Sequence, residues 1–251
     1  MRSREQKPPK IEILFEDEDL IAINKASQML VIPDRWDPDK PSLISILKDR
    51  FPNEKIYVVH RLDKDTSGVI LFARTAAAHK NLNQQLENRQ TEKIYFAVVK
   101  GEVKEDGVID LAIDTDRGKK GRVMIHKKGK ESITAYKIIE RYKGFTYLKV
   151  IPKTGRTHQI RIHLQAIGHP LAIDPLYGDS APIFLSNLKR NYRFKLDQEE
   201  RPLIDRLTLH AGGIHFAHPI TGEKLEIVAA IPKDLRALIH ALGKYRKLSK
   251  L

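Results

Sequence analysis

Ten short runs of β-branched and aromatic residues, with few helix signals between them, constrain the fold of this 251-residue chain more than any other feature. They are IEILF (11–15), LIAIN (20–24), IYVVH (56–60), GVILFA (68–73), KIYFAVV (93–99), GVIDLAI (107–113), ITAYKII (133–139), FTYLKVI (145–151), LTLHAGGIHF (207–216) and KLEIVAA (224–230). Gly, Asp, Asn or Pro bound them, as residues that end strands and make turns do. Three segments carry helical periodicity. TAAAHKNLNQQLEN (75–88) opens on Thr75 as N-cap and stacks Ala78, Leu82 and Leu86 four apart. THQIRIHLQAIG (157–168) puts Ile160, Leu164 and Ile167 on one stripe, with Gly168 where a left-handed C-terminal residue is wanted. PKDLRALIHAL (232–242) has Pro232 in its first turn and aligns Leu235, Leu238, Ile239 and Leu242. A parallel sheet would need a helix in nearly every crossover. The pattern therefore predicts an α+β protein, a mostly antiparallel mixed sheet flanked by a few helices.

No long linker, repeat or low-complexity segment interrupts the chain after Lys10, so residues 11–251 are expected to form one domain behind a flexible basic tail at 1–10. No uncharged apolar run approaches the roughly 18 residues of a membrane span. The acidic IEILFEDEDL (11–20) is neither a signal-peptide core nor a transit peptide. With no Cys there is no disulfide, thiolate metal site or Cys nucleophile, and a reducing, cytoplasmic setting is the simpler expectation.

The charge is lopsided: 45 Lys plus Arg against 32 Asp plus Glu leave +13. Such a surplus means a polyanionic partner or a basic surface kept for solubility. Its distribution favours the partner. DRGKKGRVMIHKKGKES (116–132) carries Arg117, Lys119, Lys120, Arg122, Lys127, Lys128 and Lys130 between two strand runs, as a basic hairpin or projecting loop would. KTGRTHQIRIH (153–163) is acid-free and adds Lys153, Arg156 and Arg161. Two such features point to a phosphate backbone and to binding that weakens steeply with salt.

Several chemistries lack support. His158, His163 and His169 lie close in sequence, but residues five apart on a helix point about 140° apart, so they do not form a zinc-ligand face. Ser67 lacks the preceding glycine of a nucleophile elbow. DRGKKGR (116–122) is not a phosphate-cradling P-loop. A metal-dependent nuclease would fit the charge but not the absence of an acidic or His ligand cluster.

The stretch VVHRLDKDTSGVILFART (58–75) sets Asp63 and Asp65 between two apolar runs. Asp65, Thr66, Ser67 and Gly68 make a good turn. Asp63 follows HRL at a strand end beside Arg61 and Lys64, and on its own reads either as a candidate nucleophilic carboxylate or as a salt-bridged surface residue.

HRLDKDTSGVILFART (60–75) resembles the signature loop of the RluA-type family of RNA pseudouridine synthases. Four further segments resemble that family in order: IEILFEDEDLIAINKASQMLV (11–31), EKIYFAVVKG (92–101), TGRTHQIRIHLQAIGHPLAIDPLYG (154–178) and LHAGGIHFAHPITGE (209–223). The resemblance implies the pseudouridine synthase fold. It also implies isomerisation of a uridine in ribosomal or transfer RNA, with the base flipped out and no metal or organic cofactor. Carried over by motif, Asp63 is the attacking carboxylate, Tyr95 stacks on the uracil and helps remove its carbon-bound proton, and Arg161 pairs with Asp63 and keeps it charged. Arg61 is expected to enter the space vacated by the flipped uridine. Lys93 and Arg156 join it in binding substrate, and Lys119, Lys120, Lys127 and Lys128 match a projecting hairpin that grips RNA. Alternation agrees for Tyr95, since Ile94, Phe96 and Val98 share one strand face and leave it on the other.

The chain departs from the family in three places. Only about ten residues precede the catalytic domain where relatives carry a small RNA-binding domain, VIPDRWDPDKPS (31–42) replaces a short link, and residues 181–206 read as an insertion. A monomer is expected.

Overall fold

A computed structural model describes residues 11–34, 37, 40–119, 121–192 and 199–248. The expected tail at 1–10 and the site residue Lys120 lie outside these described residues. The chain forms two compact units. The first comprises the described residues through Thr91 together with Ile214–Ala229; the second takes Glu92–Gly213 and the chain from Ala230 onward.

The first unit is built on β1 (Glu12–Glu16), β2 (Leu20–Lys25), β3 (Tyr57–Val58), β4 (Ser67–Ala73) and β12 (Lys224–Val228), with helices α1 (Leu43–Arg50) and α2 (Ala76–Glu87). β1 pairs β2, and β2 pairs β4 in register from Leu20↔Ala73 to Lys25↔Gly68, all antiparallel. All seven residues of β4 are buried, and Leu20 to Ile23 of β2 are fully buried. Such unbroken apolar runs form strands covered on both faces. One face packs Leu20, Ala22, Val69, Leu71 and Ala73 against Ala78 and Leu82 of α2. That helix starts as its sequence predicts, with Thr75 Oγ1 accepting from the Ala78 N–H at 3.2 Å. Helix α1 was not expected. A reciprocal cap starts it: Ser42 Oγ accepts from Ser45 N, and Ser45 Oγ accepts from Ser42 N at 2.9 Å.

The second unit contains β5 (Glu92–Lys100), β6 (Gly107–Asp110), β9 (Ile133–Tyr142) and β10 (Phe145–Pro152), paired antiparallel in the order β5-β10-β9-β6. A separate hairpin joins β7 (Ile113–Thr115) to β8 (Val123–Ile125), and helices α3 (Gln159–Ala166), α4 (Leu185–Leu188) and α5 (Lys233–Tyr245) complete the unit. The strand run 107–113 is thus divided between β6 and β7. Strand β11 (Leu209–Ala217) contributes its residues to Gly213 here and the rest to the first unit. A two-residue turn, Lys143-Gly144, links β9 to β10, with Gly144 at φ +82°, which glycine adopts without strain.

Strand β5 is covered on both faces. Phe96 and Val98 join Tyr147, Leu188, Leu235 and Leu242 on one face, while Tyr95, Ala97 and Val99 join Leu148, Ile160 and Leu164 on the other. Helix α3 begins at Gln159, two residues after Thr157, because His158 takes a left-handed backbone (φ 52°). Pro232 stands at the N-cap of α5, not inside its first turn. Among the described residues, no helix is long and apolar enough to cross a membrane.

Candidate active site

In the first unit, Asp63 is half-buried between exposed Arg61 and exposed Lys64. The turn here differs from the sequence expectation. It closes from the Thr66 N–H to the Asp63 carbonyl at 3.1 Å, so Asp63 itself opens the turn and Asp65 lies inside it. Gly68, at φ +115°, belongs to β4, where its register partner is Lys25. An Asp at the first turn position is favoured in its own right, and here it also fixes which way the chain leaves Asp63.

Lys25, the last residue of β2, and Ser27 just after it hold this loop. Lys25 is fully buried, and its ammonium donates to three carbonyls: Lys64 at 2.7 Å, Met29 at 2.8 Å and Ala26 at 3.0 Å. Ser27 Oγ donates to the Asp65 carbonyl at 2.7 Å. At the loop's entry, His60 Nε2 accepts from the Leu71 N–H at 3.2 Å. The backbone on either side of Asp63 is therefore tethered to the sheet.

In the second unit, Tyr95 is half-buried on the same face of β5 as α3. Arg161 is more deeply set than its place beside the Ile160 stripe predicts, at 3 % exposure. Every residue of α3 from Gln159 to Leu164 is buried, so its polar members need internal partners. Gln159 bonds the Thr154 and Thr134 hydroxyls, and His163 sits between Thr134 Oγ1 and the Leu111 carbonyl, both at 2.9 Å. Burial pushes the His163 pKa down, against an opposing pull from that carbonyl and Asp110.

Arg161 finds its partner within the unit in Asp174, which sequence reasoning did not single out. Nε donates to one carboxylate oxygen at 2.8 Å and a terminal nitrogen to the other at 2.7 Å. Asp174 is fully buried and also accepts from the Leu176 and Tyr177 N–H groups. A signal was present: from Lys153 to Gly178, Asp174 is the only acidic residue, so an arginine buried in that stretch has one local carboxylate to meet.

Tyr177 links this pair to the basic hairpin. The guanidinium carbons of Arg122 and Arg161 stand 5.0 and 5.2 Å from its ring centroid. Its hydroxyl accepts from the Val123 N–H at 2.9 Å and bonds His158 Nδ1 at 3.0 Å. Arg117, Lys119, Lys127 and Lys128 are exposed on the hairpin and its flanks. Arg156 is exposed and donates from Nε to the Glu131 carbonyl, tying the loop before α3 to the end of that basic segment. Lys93 lies beside this loop, 3.4 Å from where a Cβ on Gly155 would stand. Burial lowers its ammonium pKa. His169 bonds the Lys100 carbonyl, so His158, His163 and His169 each have a protein partner. Among the described residues, no group of three or more His, Cys, Asp or Glu could hold a metal ion.

This combination of fold and loop matches known proteins. The family model for RNA pseudouridylate synthase matches residues 19–166. The ribosomal large subunit pseudouridine synthase D of Escherichia coli (strain K12) is 35 % identical over 242 residues, covering 92 % of this chain and 70 % of that protein. The protein of the same name from Vibrio cholerae is 35 % identical over 243 residues, covering 96 % and 73 %. Among solved structures, the human RNA Pseudouridylate Synthase Domain Containing 4 has a TM-score of 0.69 at 22 % identity, covering 92 % of each chain. The chain belongs to the RNA pseudouridylate synthase family. It is an isomerase that converts uridine in RNA to pseudouridine.

Proposed function

We propose that the chain modifies uridines of large-subunit ribosomal RNA and that Asp63 is its attacking carboxylate. The rRNA assignment rests on relatives 35 % identical that are named for that substrate. The observation that carries the role of Asp63 is the rigid presentation of its loop: a half-buried carboxylate opens a turn whose next two carbonyls are bound by Lys25 and Ser27. A nucleophile gains from such fixed placement because the entropy of orientation is lost during folding, not during reaction.

The reaction balances as an isomerisation. The bond from N1 to the sugar C1′ breaks, a bond from C5 to C1′ forms, C5 loses its proton and N1 takes one up. Asp63 attacks the nucleoside in its ionised form, flanked by the cations Arg61 and Lys64. Tyr95 stacks on the uracil and assists removal of the C5 proton, and Arg161 supplies the positive charge that keeps the attacking carboxylate ionised. Arg61 fills the gap left by the flipped base. Lys93, Arg156 and the hairpin lysines hold phosphates.

Release of tritium from RNA labelled at uridine carbon 5 tests this reading. Wild-type protein is expected to release label from large-subunit ribosomal RNA and not from transfer RNA, with EDTA making no difference. Asp63→Asn should reduce release to background while its melting temperature stays that of the wild type. Full release by that variant refutes the assignment.

A further inference from the structure

Residues 186–192, within the insertion expected at 181–206, play no part in the proposed chemistry, yet they border a pocket of about 530 Å³ in the second unit. That volume lies in the range of small-ligand sites. Its walls include Lys143, Lys189, Arg190 and Arg246, with Tyr192 and Tyr245. None of the described residues lining it is acidic. The Lys189 ammonium lies 5.8 Å from the ring centroids of both Tyr192 and Tyr245, and the Lys244 ammonium lies 5.4 Å from the latter. Arg246 donates from a terminal nitrogen to the Asn187 carbonyl, while its Nε is buried without an acceptor.

Three other cations of the same unit are matched to carboxylates at short range. Arg161 meets Asp174, Arg206 meets Asp234 at 2.6 Å and Lys100 meets Asp179 at 2.7 Å. Among the described residues, the side chains of Lys143, Lys189 and Arg190 have no carboxylate within ion-pair distance. Gathering unmatched cations around one cavity costs repulsion that a bound polyanion removes. The aromatic walls narrow the choice of polyanion, since cations interleaved with ring faces suit a single-stranded nucleic acid better than an acidic peptide.

With the uracil stacked on Tyr95 as proposed above, the target uridine is not the occupant. Leu188 and Tyr245 pack with Phe96 and Val98, on the face of β5 opposite Tyr95. We propose that this pocket is a second RNA site, which takes one unpaired nucleotide of the same substrate, remote from the uridine being isomerised. Lys189, Arg190 and Arg246 hold its phosphates and Tyr192 faces its base. The inference rests on the reading that a ribosomal RNA is the substrate. It makes length a criterion of choice, because a short fragment spanning the target cannot reach both faces of the sheet.

Tritium release is compared on intact large-subunit ribosomal RNA and on a short stem-loop around a mapped target, using the full chain. Lys189 and Arg190 are exposed, so a Lys189→Gln/Arg190→Gln variant should fold, and its melting temperature checks this. On the long RNA, KM should rise about 10-fold with kcat unchanged, and the slope of log KM against log salt should fall by about 1 to 2. Tyr192→Leu should raise KM on the long RNA about 5-fold with little change of salt slope. Neither variant should alter KM for the stem-loop. Unchanged KM on both RNAs overturns the second site, and so does equal weakening on both. Absence of release by the wild type from ribosomal RNA would instead overturn the functional reading on which the site rests.

Discussion

Asp63 and Arg161 are both charged groups set in packed surroundings, and the two units hold them by opposite means. The Asp63 loop is fixed through its backbone: the carbonyls of residues 63, 64 and 65 accept from Thr66, Lys25 and Ser27. Arg161 is fixed through its side chain, two of whose donors end on Asp174. The difference is what each unit can tolerate. A loop held by its carbonyls keeps its shape when the side chain at 63 changes. A buried guanidinium that ends two donors on a buried carboxylate is strongly destabilised by loss of that carboxylate, because the charge it balanced stays inside.

Breaking the side-chain tether is expected to have the largest effect. Asp174→Asn removes the charge that faces Arg161 at 3 % exposure and should destabilise the protein by about 3 to 5 kcal/mol, read as a lowered midpoint of urea unfolding. The double variant Arg161→Met/Asp174→Leu should recover most of that stability, since apolar groups of similar volume often replace a buried pair without loss. It should remain inactive in tritium release. Recovery of activity along with stability would mean that the pair serves packing alone and would erase the contrast with Asp63.

Cutting the backbone tether should cost less. Lys25→Met keeps the length and burial of the side chain but gives up three charge-assisted bonds to carbonyls, one of them on Lys64. Stability should fall by about 2 to 3 kcal/mol. Because Ser27 and the Thr66 turn still hold the loop, kcat should drop about 10-fold while KM for RNA stays constant. A rise in KM with constant kcat would place Lys25 in RNA binding and contradict a positioning role.

The two sites also differed in how far the sequence disclosed them. Strands with unbroken apolar runs, β4 above all, were legible because burial on both faces leaves a compositional mark that neighbours do not alter. Thr75 announced α2, and the alternation in β5 put Tyr95 opposite Phe96 and Val98, as found. Lys25 was not legible: a lysine at the end of an apolar strand reads as the point where the chain meets solvent, and only the returning loop shows that carbonyls surround it. The turn lies two residues before the one that Asp, Thr, Ser and Gly at 65–68 predict, because all four are good turn residues and propensity does not choose between overlapping turns. Helix α1 was hidden by the neighbouring Pro and Asp residues, although Ser42 and Ser45 carried its cap. Arg161 reads as needing a partner, and the family resemblance supplies Asp63; Asp174, the one acidic residue between Lys153 and Gly178, is the nearby carboxylate that the resemblance passes over.

Tyr177 offers the finest test of side-chain tethering, because one hydroxyl can be removed while the ring stays. Tyr177→Phe keeps the aromatic face that Arg122 and Arg161 lie against and deletes the bonds to the Val123 N–H and His158. The Val123 N–H belongs to β8, so the loss falls on the attachment of the basic hairpin to α3. Stability should decrease by only about 1 kcal/mol, the net worth of ordinary hydrogen bonds. RNA affinity should weaken severalfold at moderate salt, and the slope of log affinity against log salt should become shallower, because a loosened hairpin keeps fewer of its lysines on phosphates. The tritium-release kcat at saturating RNA should stay within about twofold of the wild type, since the ring and the Arg161–Asp174 pair remain. A large fall in kcat with unchanged affinity would mean that the hydroxyl serves Arg161 directly, and that the hairpin is held by its strands alone.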